Sequence, residues 1–266
     1  MKVEVLLATM FYEKENENYL NDMNIQTDII IGNQTEYNEN CISQYNNHTV
    51  QILSRNERGV GKNRNLSLFH SRADIILFCD NDVCYYDGYA EKIIEYFENN
   101  PKADLVIFNF KEKRGEELRQ DINTKDKRAR LKDIVKFGTW AVCARRESVI
   151  KARICFSTLF GGGAKYSCGE DTLFLTDCYK KGLKIYLSSI KIGEVVHKES
   201  TWFNGITEKY IFDKGALFKA MNPKKYKLLI YYHVFKHRKL YSPFGTIKEV
   251  IKVMLKGAKE YKAMGY

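Results

Sequence analysis

The chain has 266 residues, 44% hydrophobic and 29% charged, with only 3 prolines and 17 glycines. This is a globular composition, which excludes collagen-like and low-complexity chains, and its short apolar stretches fall far below the ~20 residues that span a bilayer. The formal net charge is +10, but residues 219–262 alone hold twelve Lys/Arg against two acids, so the body is neutral and the excess lies in the tail.

The apolar, β-branched runs 3–8, 28–31, 49–53, 74–79 and 104–108 predict strands, and the stretches 63–70 and 89–99 predict helices between them. Short strands apolar on both sides and alternating with helices predict an α/β fold: a mostly parallel central sheet with helices on both faces. Ligands of such sheets bind beyond the carboxyl ends of the strands. Met1-Lys2 leads straight into the first run, without the build of a secretory leader. The seven cysteines contain no C-x-x-C pair, so neither a disulfide framework nor a structural zinc site is expected. A soluble, unexported chain in a reducing cytoplasm is the expected setting.

Residues 111–133 hold nine basic and six acidic side chains. They are expected as a solvated helix or excursion between two halves, 1–110 and 134–206. The second half resumes with a strand over 139–144, a short helix, the run Gly161-Gly162-Gly163, and a helix from about Gly169. A strand pair over 184–187 and 192–197 follows. From 207 onward the pattern is helical, giving a basic C-terminal region 207–266.

Arg58-Gly59-Val60-Gly61-Lys62-Asn63-Arg64-Asn65 stands at a helix start. Free N–H groups and cations pointing the same way favour an anion there, although the spacing is neither a Walker loop nor G-x-G-x-x-G. Asp80-Asn81-Asp82 ends a strand, where two carboxylates converge on a hard divalent cation with phosphate oxygens, or form an ordinary acidic turn. Gly169-Glu170-Asp171 opens a helix; its acids suit the macrodipole, or one serves as an oriented general base. His197, at a strand end, is a hydrogen-bonded structural imidazole or a nitrogen ligand for the same cation.

Taken in order, Thr9, Asn33, the basic G-x-G-K-N-R-N segment, Asp80-Asn81-Asp82, Gly169-Glu170-Asp171 with Leu173 and Gly182-Leu183-Lys184, and the late His197 resemble the family 2 glycosyltransferases over roughly residues 1–205. The resemblance implies the A-type glycosyltransferase fold and inverting transfer from a nucleotide-sugar. It implies donor binding by Thr9, Asn33, Lys62, Arg64, Asp80, Asn81 and Asp82, with Thr9 and Asn33 bordering the base. Arg64 would lie near the base or the diphosphate, and Asp80 would reach the ribose. Asp82 would hold Mn²⁺ or Mg²⁺, with His197 as a further ligand. Asp171 would take the acceptor hydroxyl proton, and Glu170 would hold the acceptor or orient that base. A metal-neutralised diphosphate leaves without the general acid that glycosidases use. Two departures stand out. Many relatives carry Asp where Asn33 stands, although an amide oxygen still accepts from a uracil N–H. Thr9-Met10-Phe11-Tyr12 also lacks the usual polar residue soon after the first strand. A UDP-sugar is the expected donor.

Residues 160–168 are expected as a loop that orders around a substrate, or as a tight structural turn. Gly162 and Gly163 thus join Glu170, Trp140 and Trp202 as acceptor-side candidates, the tryptophans either stacking on sugars or packing in the core. In the tail, Lys248, Lys252, Lys256 and Lys259 recur at helical spacing beside Ile247, Val250, Ile251, Met254, Leu255 and Ala258. Such a helix packs on the body, or docks to an anionic cytoplasmic leaflet at roughly 1 kcal/mol per nearby cation. Docking suits a peripheral enzyme acting on a glycan or lipid-linked oligosaccharide in bacterial capsule, exopolysaccharide or O-antigen synthesis. Two other readings compete. A sugar-nucleotide nucleotidyltransferase would carry a glycine-rich loop after strand one, where Ala8-Thr9-Met10-Phe11 stands. A noncatalytic binder of nucleic acid or anionic surfaces would use the tail, but the neutral body carries no nucleic-acid motif and no nucleic-acid partner is expected.

Overall fold

The computed structural model describes residues 1–13, 18–114, 117–118, 123–196 and 205–263. The chain opens with β1 (Val3–Met10), α1 (Asn18–Asp22), β2 (Asp28–Gln34), β3 (Glu39–Tyr45), β4 (His48–Arg55) and α2 (Val60–His70). It continues through β5 (Ile75–Asp80), β6 (Val83–Tyr85), α3 (Tyr89–Asn99), β7 (Leu105–Arg114), β8 (Glu117–Leu118) and β9 (Lys127–Arg128). After α4 (Leu131–Ile134) come β10 (Val142–Arg145), α5 (Arg146–Lys151), α6 (Glu170–Lys180) and β11 (Ile185–Val196). The helices α7 (Glu208–Met221), α8 (Tyr226–Lys236), α9 (Arg238–Tyr241) and α10 (Ile247–Ala263) finish the chain.

The sheet order is β3-β4-β2-β1-β5-β10-β7-β11-β6. It is parallel through β4-β2-β1-β5 and again at β7-β11, with β10 antiparallel to both neighbours between them. Leu6, Leu7, Ile30, Ile31 and residues 75–78 are buried regardless of which side they face, as expected of strands covered on both faces. From β1 the chain goes to β2 and β4 on one side, then crosses to β5 on the other. The crevice between the carboxyl ends of β1 and β5 is therefore the ligand position for this winding. The register sets Thr9 opposite Asn33, Asn33 opposite Ser54, and Ala8 opposite Asp80.

Three expectations need correction. The strand pair over 184–187 and 192–197 is one strand, β11, whose pairing to β7 slips between Leu187 and Gly193. A bulge absorbs Ser188-Ser189-Ile190, the stretch that reads as a break, and Asp126 accepts from Ser189 N and Oγ at 2.7 Å. The charged stretch 111–133 begins inside β7 and also contributes β8 and β9. Residues 139–141 form a 3-10 turn and only Val142–Arg145 a strand.

The C-terminal helices make their own core, centred on Ile211, Ile230, Val234, Tyr241, Val250, Met254 and Ala258. The apolar stripe of α10 thus faces inward, leaving Lys248, Lys252, Lys256 and Lys259 exposed. α7 and α10 approach backbone to backbone. A Cβ on Gly215 would stand 1.8 Å from the Met254 carbonyl oxygen, and one on Gly257 2.0 Å from that of Phe212. No helix of the described residues is long and apolar enough to cross a membrane. Gly215→Val is expected to push the helices apart and lose at least ~2 kcal/mol, read as a lower urea midpoint.

Candidate active site

The start of α2 is tied down by neighbours. The Gly59 N–H donates to Gln34 Oε1 at 2.8 Å, and the Val60 N–H donates to the Gly162 carbonyl at 2.9 Å. One turn further on, Arg64 is 4% exposed. Its Nη2 donates to Asp80 Oδ1 at 2.8 Å, while Nη1 donates to Asp171 Oδ1 at 2.8 Å and to Glu170 Oε1 at 3.1 Å. Burial opposes the guanidinium charge, but the carboxylates of Asp80, Asp171 and Glu170 outweigh it and hold the group protonated. The cation also lies over the Phe156 ring, 5.5 Å from its centroid. Arg64, expected near the base or the diphosphate, therefore joins α2, the end of β5 and the start of α6.

Glu170 and Asp171 occupy the first turn of α6 after the left-handed cap Gly169, where acids suit the helix dipole. Their environments differ. The Glu170 carboxyl is pushed up to about 7, by burial first and by the Asp171 charge second, with Arg64 opposing. Asp171 keeps 26% of its side chain exposed. Its Oδ1 accepts from both Arg64 and Thr139 Oγ1, the latter at 2.7 Å. Two adjacent carboxylates are thus set apart: one enclosed and readily protonated at neutral pH, the other more accessible and oriented by two donors. The glycine run makes the enclosure possible. Gly161 has φ +102°, and a Cβ there would fall 2.7 Å from Glu170 Cδ and Oε2.

The loop over 160–168 is a closed turn. Phe160 pairs with Tyr166 through a bridge and a ring stack at 4.8 Å, with Tyr261 of α10 against both rings. Of the donor candidates, Thr9 Oγ1 meets the Tyr19 hydroxyl at 3.2 Å. Asn33, expected beside the base, is buried with its side chain on the backbone of Tyr12. Its Oδ1 accepts from Tyr12 N at 2.8 Å and its Nδ2 donates to Tyr12 O at 3.0 Å. Lys62 and Asn81 are exposed, with Lys62 Nζ 3.4 Å from Glu57. Trp140 is half-buried and edge-on to Phe110 at 5.1 Å. His197 and Trp202 lie outside the described residues. The sequence reading gave no role to Thr139, to Asn65 of the basic segment, or to the exposed Phe11 ring under the Arg58 guanidinium.

Among the described residues no three His, Cys, Asp or Glu side chains cluster as a metal site. The residues still fit a cation of the Mg²⁺ type, which is held through one or two carboxylates with substrate phosphates completing the sphere. Asp80, Glu170 and Asp171 share Arg64, and Asp82 follows two residues after Asp80, so a diphosphate would meet net negative charge unless a cation accompanied it.

Residues 22–153 match the family model described as Glycosyl transferase family 2. The comparison with curated proteins found no match. Similar solved structures include S. aureus TarS 1-349 in complex with UDP-GlcNAc, at 16% identity and TM-score 0.62, covering 83% of this chain and 66% of that one. S. aureus TarS matches at 15% identity and TM-score 0.61, covering 89% and 43%, and TarS 1-349 alone at 15% and 0.62, covering 100% and 92%. This chain therefore spans less than half of the longer TarS chain. Likeness at this identity shows the fold, a mixed α/β sheet of the A-type glycosyltransferase kind with helices around it.

Two tests follow from the cluster. Arg64→Met leaves buried carboxylates uncompensated and is expected to cost ~3–5 kcal/mol of stability; Arg64→Lys is expected to recover little, because a point charge cannot serve three acceptors as a fork does. Urea unfolding of both variants measures this. For Glu170, the ordinary value is 4.5 and the folded value about 7. Below 4.5 both states hold the proton. Between 4.5 and 7 the unfolded chain has released it and the folded chain has not, so stability falls as pH rises through that window. Glu170→Gln removes this dependence, so its melting temperature relative to wild type is expected to rise from pH 5 to pH 8.

Proposed function

We propose that this chain, whose residues 22–153 match the model of glycosyl transferase family 2, is a nucleotide-sugar glycosyltransferase whose donor is a UDP-sugar, and that Asp171 activates the acceptor hydroxyl for a single inverting displacement. The observation that carries this reading is the convergence of Asp80, Glu170 and Asp171 on buried Arg64 beside the β1–β5 crevice. The TarS complexes with UDP-GlcNAc and with UDP support a uridine carrier.

A sugar hydroxyl is a weak nucleophile until a positioned base takes its proton. Arg64 and Thr139 both bond Oδ1 of Asp171, which leaves Oδ2 as the oxygen to receive that proton. The acceptor oxygen then attacks the anomeric carbon opposite the diphosphate, whose bond to that carbon breaks with its electron pair. Glu170 holds the acceptor, or Arg64, on the enclosed side. Asp80 reaches the ribose while anchoring Arg64. Thr9, Lys62 and Asn81 border the donor, and Asn33 shapes its base pocket by fixing the backbone at Tyr12. Asp82, with His197 as a further ligand, would hold Mg²⁺ or Mn²⁺. When bound, that ion supplies charge neutralisation for the departing diphosphate. Gly162, Gly163, Trp140 and Trp202 border the acceptor, a glycan or lipid-linked oligosaccharide of a bacterial surface polysaccharide.

The test is nucleoside diphosphate release from UDP-, GDP- and TDP-sugars, with Mn²⁺ or EDTA, beside calorimetric donor binding. Wild type is expected to hydrolyse one UDP-sugar slowly. EDTA and Asp82→Ala should each remove that release, and Asp171→Asn should bind donor normally yet lose transfer by at least ~100-fold. Absence of both release and binding for every donor would overturn the assignment.

A further inference from the structure

α8 turns an apolar face to solvent. Ile230 and Val234 are fully buried in the C-terminal core, whereas Leu228, Tyr232 and Phe235 on the opposite side of the helix are 68%, 66% and 53% exposed. Tyr231 is also exposed, and so are Leu240 and Phe244 just beyond the helix. Lone exposed apolar side chains are ordinary; a row of them at helical spacing marks an interaction surface.

The surrounding charge says which kind. From Lys214 to Lys248 the chain holds nine Lys/Arg and no aspartate or glutamate. Lys227 and Lys236 are exposed on α8 itself, with Lys224 and Lys225 just before it and Arg238 and Lys239 just after. The Lys236 ammonium sits over the Tyr232 ring, 5.7 Å from its centroid. Tyrosine and phenylalanine flanked by long cationic side chains match a water–lipid boundary, where rings enter the headgroup layer and ammonium groups stay at its surface. A second copy meeting this face would bring two cationic patches together, which opposes self-association.

We propose that the α8 face, with the cationic rim around it, docks this protein to an anionic lipid bilayer surface. α10, whose lysine repeat first draws attention, contributes charge only, because its apolar stripe is covered by α7 and the C-terminal core. Docking does not depend on the proposed reaction. That docking brings the active site to a lipid-linked acceptor is a consequence resting on that reading.

The experiment is sedimentation of the full chain in low salt with vesicles of equal parts phosphatidylglycerol and phosphatidylcholine, or of phosphatidylcholine alone. Wild type should pellet with the mixed vesicles only, and less so as salt is raised. The surface variant Leu228→Ser/Tyr232→Ser/Phe235→Ser, folded by its unchanged urea midpoint, should lose at least about tenfold in vesicle partition. Lys252→Gln/Lys256→Gln on α10 should lose less. Equal pelleting of the triple variant and wild type would overturn the proposal, as would equal pelleting with phosphatidylcholine alone. Wild-type self-association without vesicles, abolished in the triple variant, would overturn it in favour of a second copy. Since pelleting is read without turnover, failure here leaves the donor assays untouched.

Discussion

A guanidinium enclosed by protein and bonded to three carboxylates constrains the rest of the site. Arg64 cannot be buried alone, and Asp80, Glu170 and Asp171 cannot stand so close without it. The requirement fixes where α2 begins, where β5 ends and how α6 enters. It also explains the aromatic floor: Asn65, next in the chain, bonds both the amide and the carbonyl of Phe156 at 2.7 and 2.9 Å. Phe156 stacks on Phe174 of α6 at 4.2 Å, and both rings meet Phe78 of β5 edge-on. The Arg64-Asn65 pair therefore acts as one unit, one side chain gathering the acids and the other holding the surface beneath them.

The strand ends around Thr9 and Asn33 are built on different physics. Parallel strands end together, and their register alone sets Thr9, Asn33 and Ser54 in a row. Asn33 then converts that row into a fixed path for the chain leaving β1, because a buried amide must satisfy its donors and acceptors and Tyr12 offers both. Electrostatic order comes from α2 and α6; backbone order comes from the sheet.

Much of this was legible in the residues. β1, β2, β4, β5 and the first part of β7 announce themselves because strands covered on both faces are apolar throughout. β3 does not: as an edge strand reading Glu-Asn-Cys-Ile-Ser-Gln-Tyr it has no fully buried residue, so composition marks no strand. β11 reads as two because its bulge is polar. The acids of the site stand in recognisable motifs, but a cation at a helix start does not disclose which groups it will face, since that depends on α6, more than a hundred residues away. Thr139 carries no pattern at all; its hydroxyl matters only because the turn before β10 delivers it to Asp171. The family match supports glycosyl transfer over nucleotidyl transfer or simple anion binding, as the ordered motifs had indicated.

The contact between the C-terminal helices and the rest of the fold bears on how this chain can be divided. Leu217 of α7 sits where a Cβ on Gly169 would lie, 2.6 Å from its nearest methyl, and Tyr261 closes over the Phe160–Tyr166 stack. The helices are thus one wall of the turn that delivers Glu170 and Asp171. A recombination breakpoint placed after residue 206 would separate side chains that shaped one another. Exchanging this region between related enzymes would succeed only where both sides of those seams were inherited together.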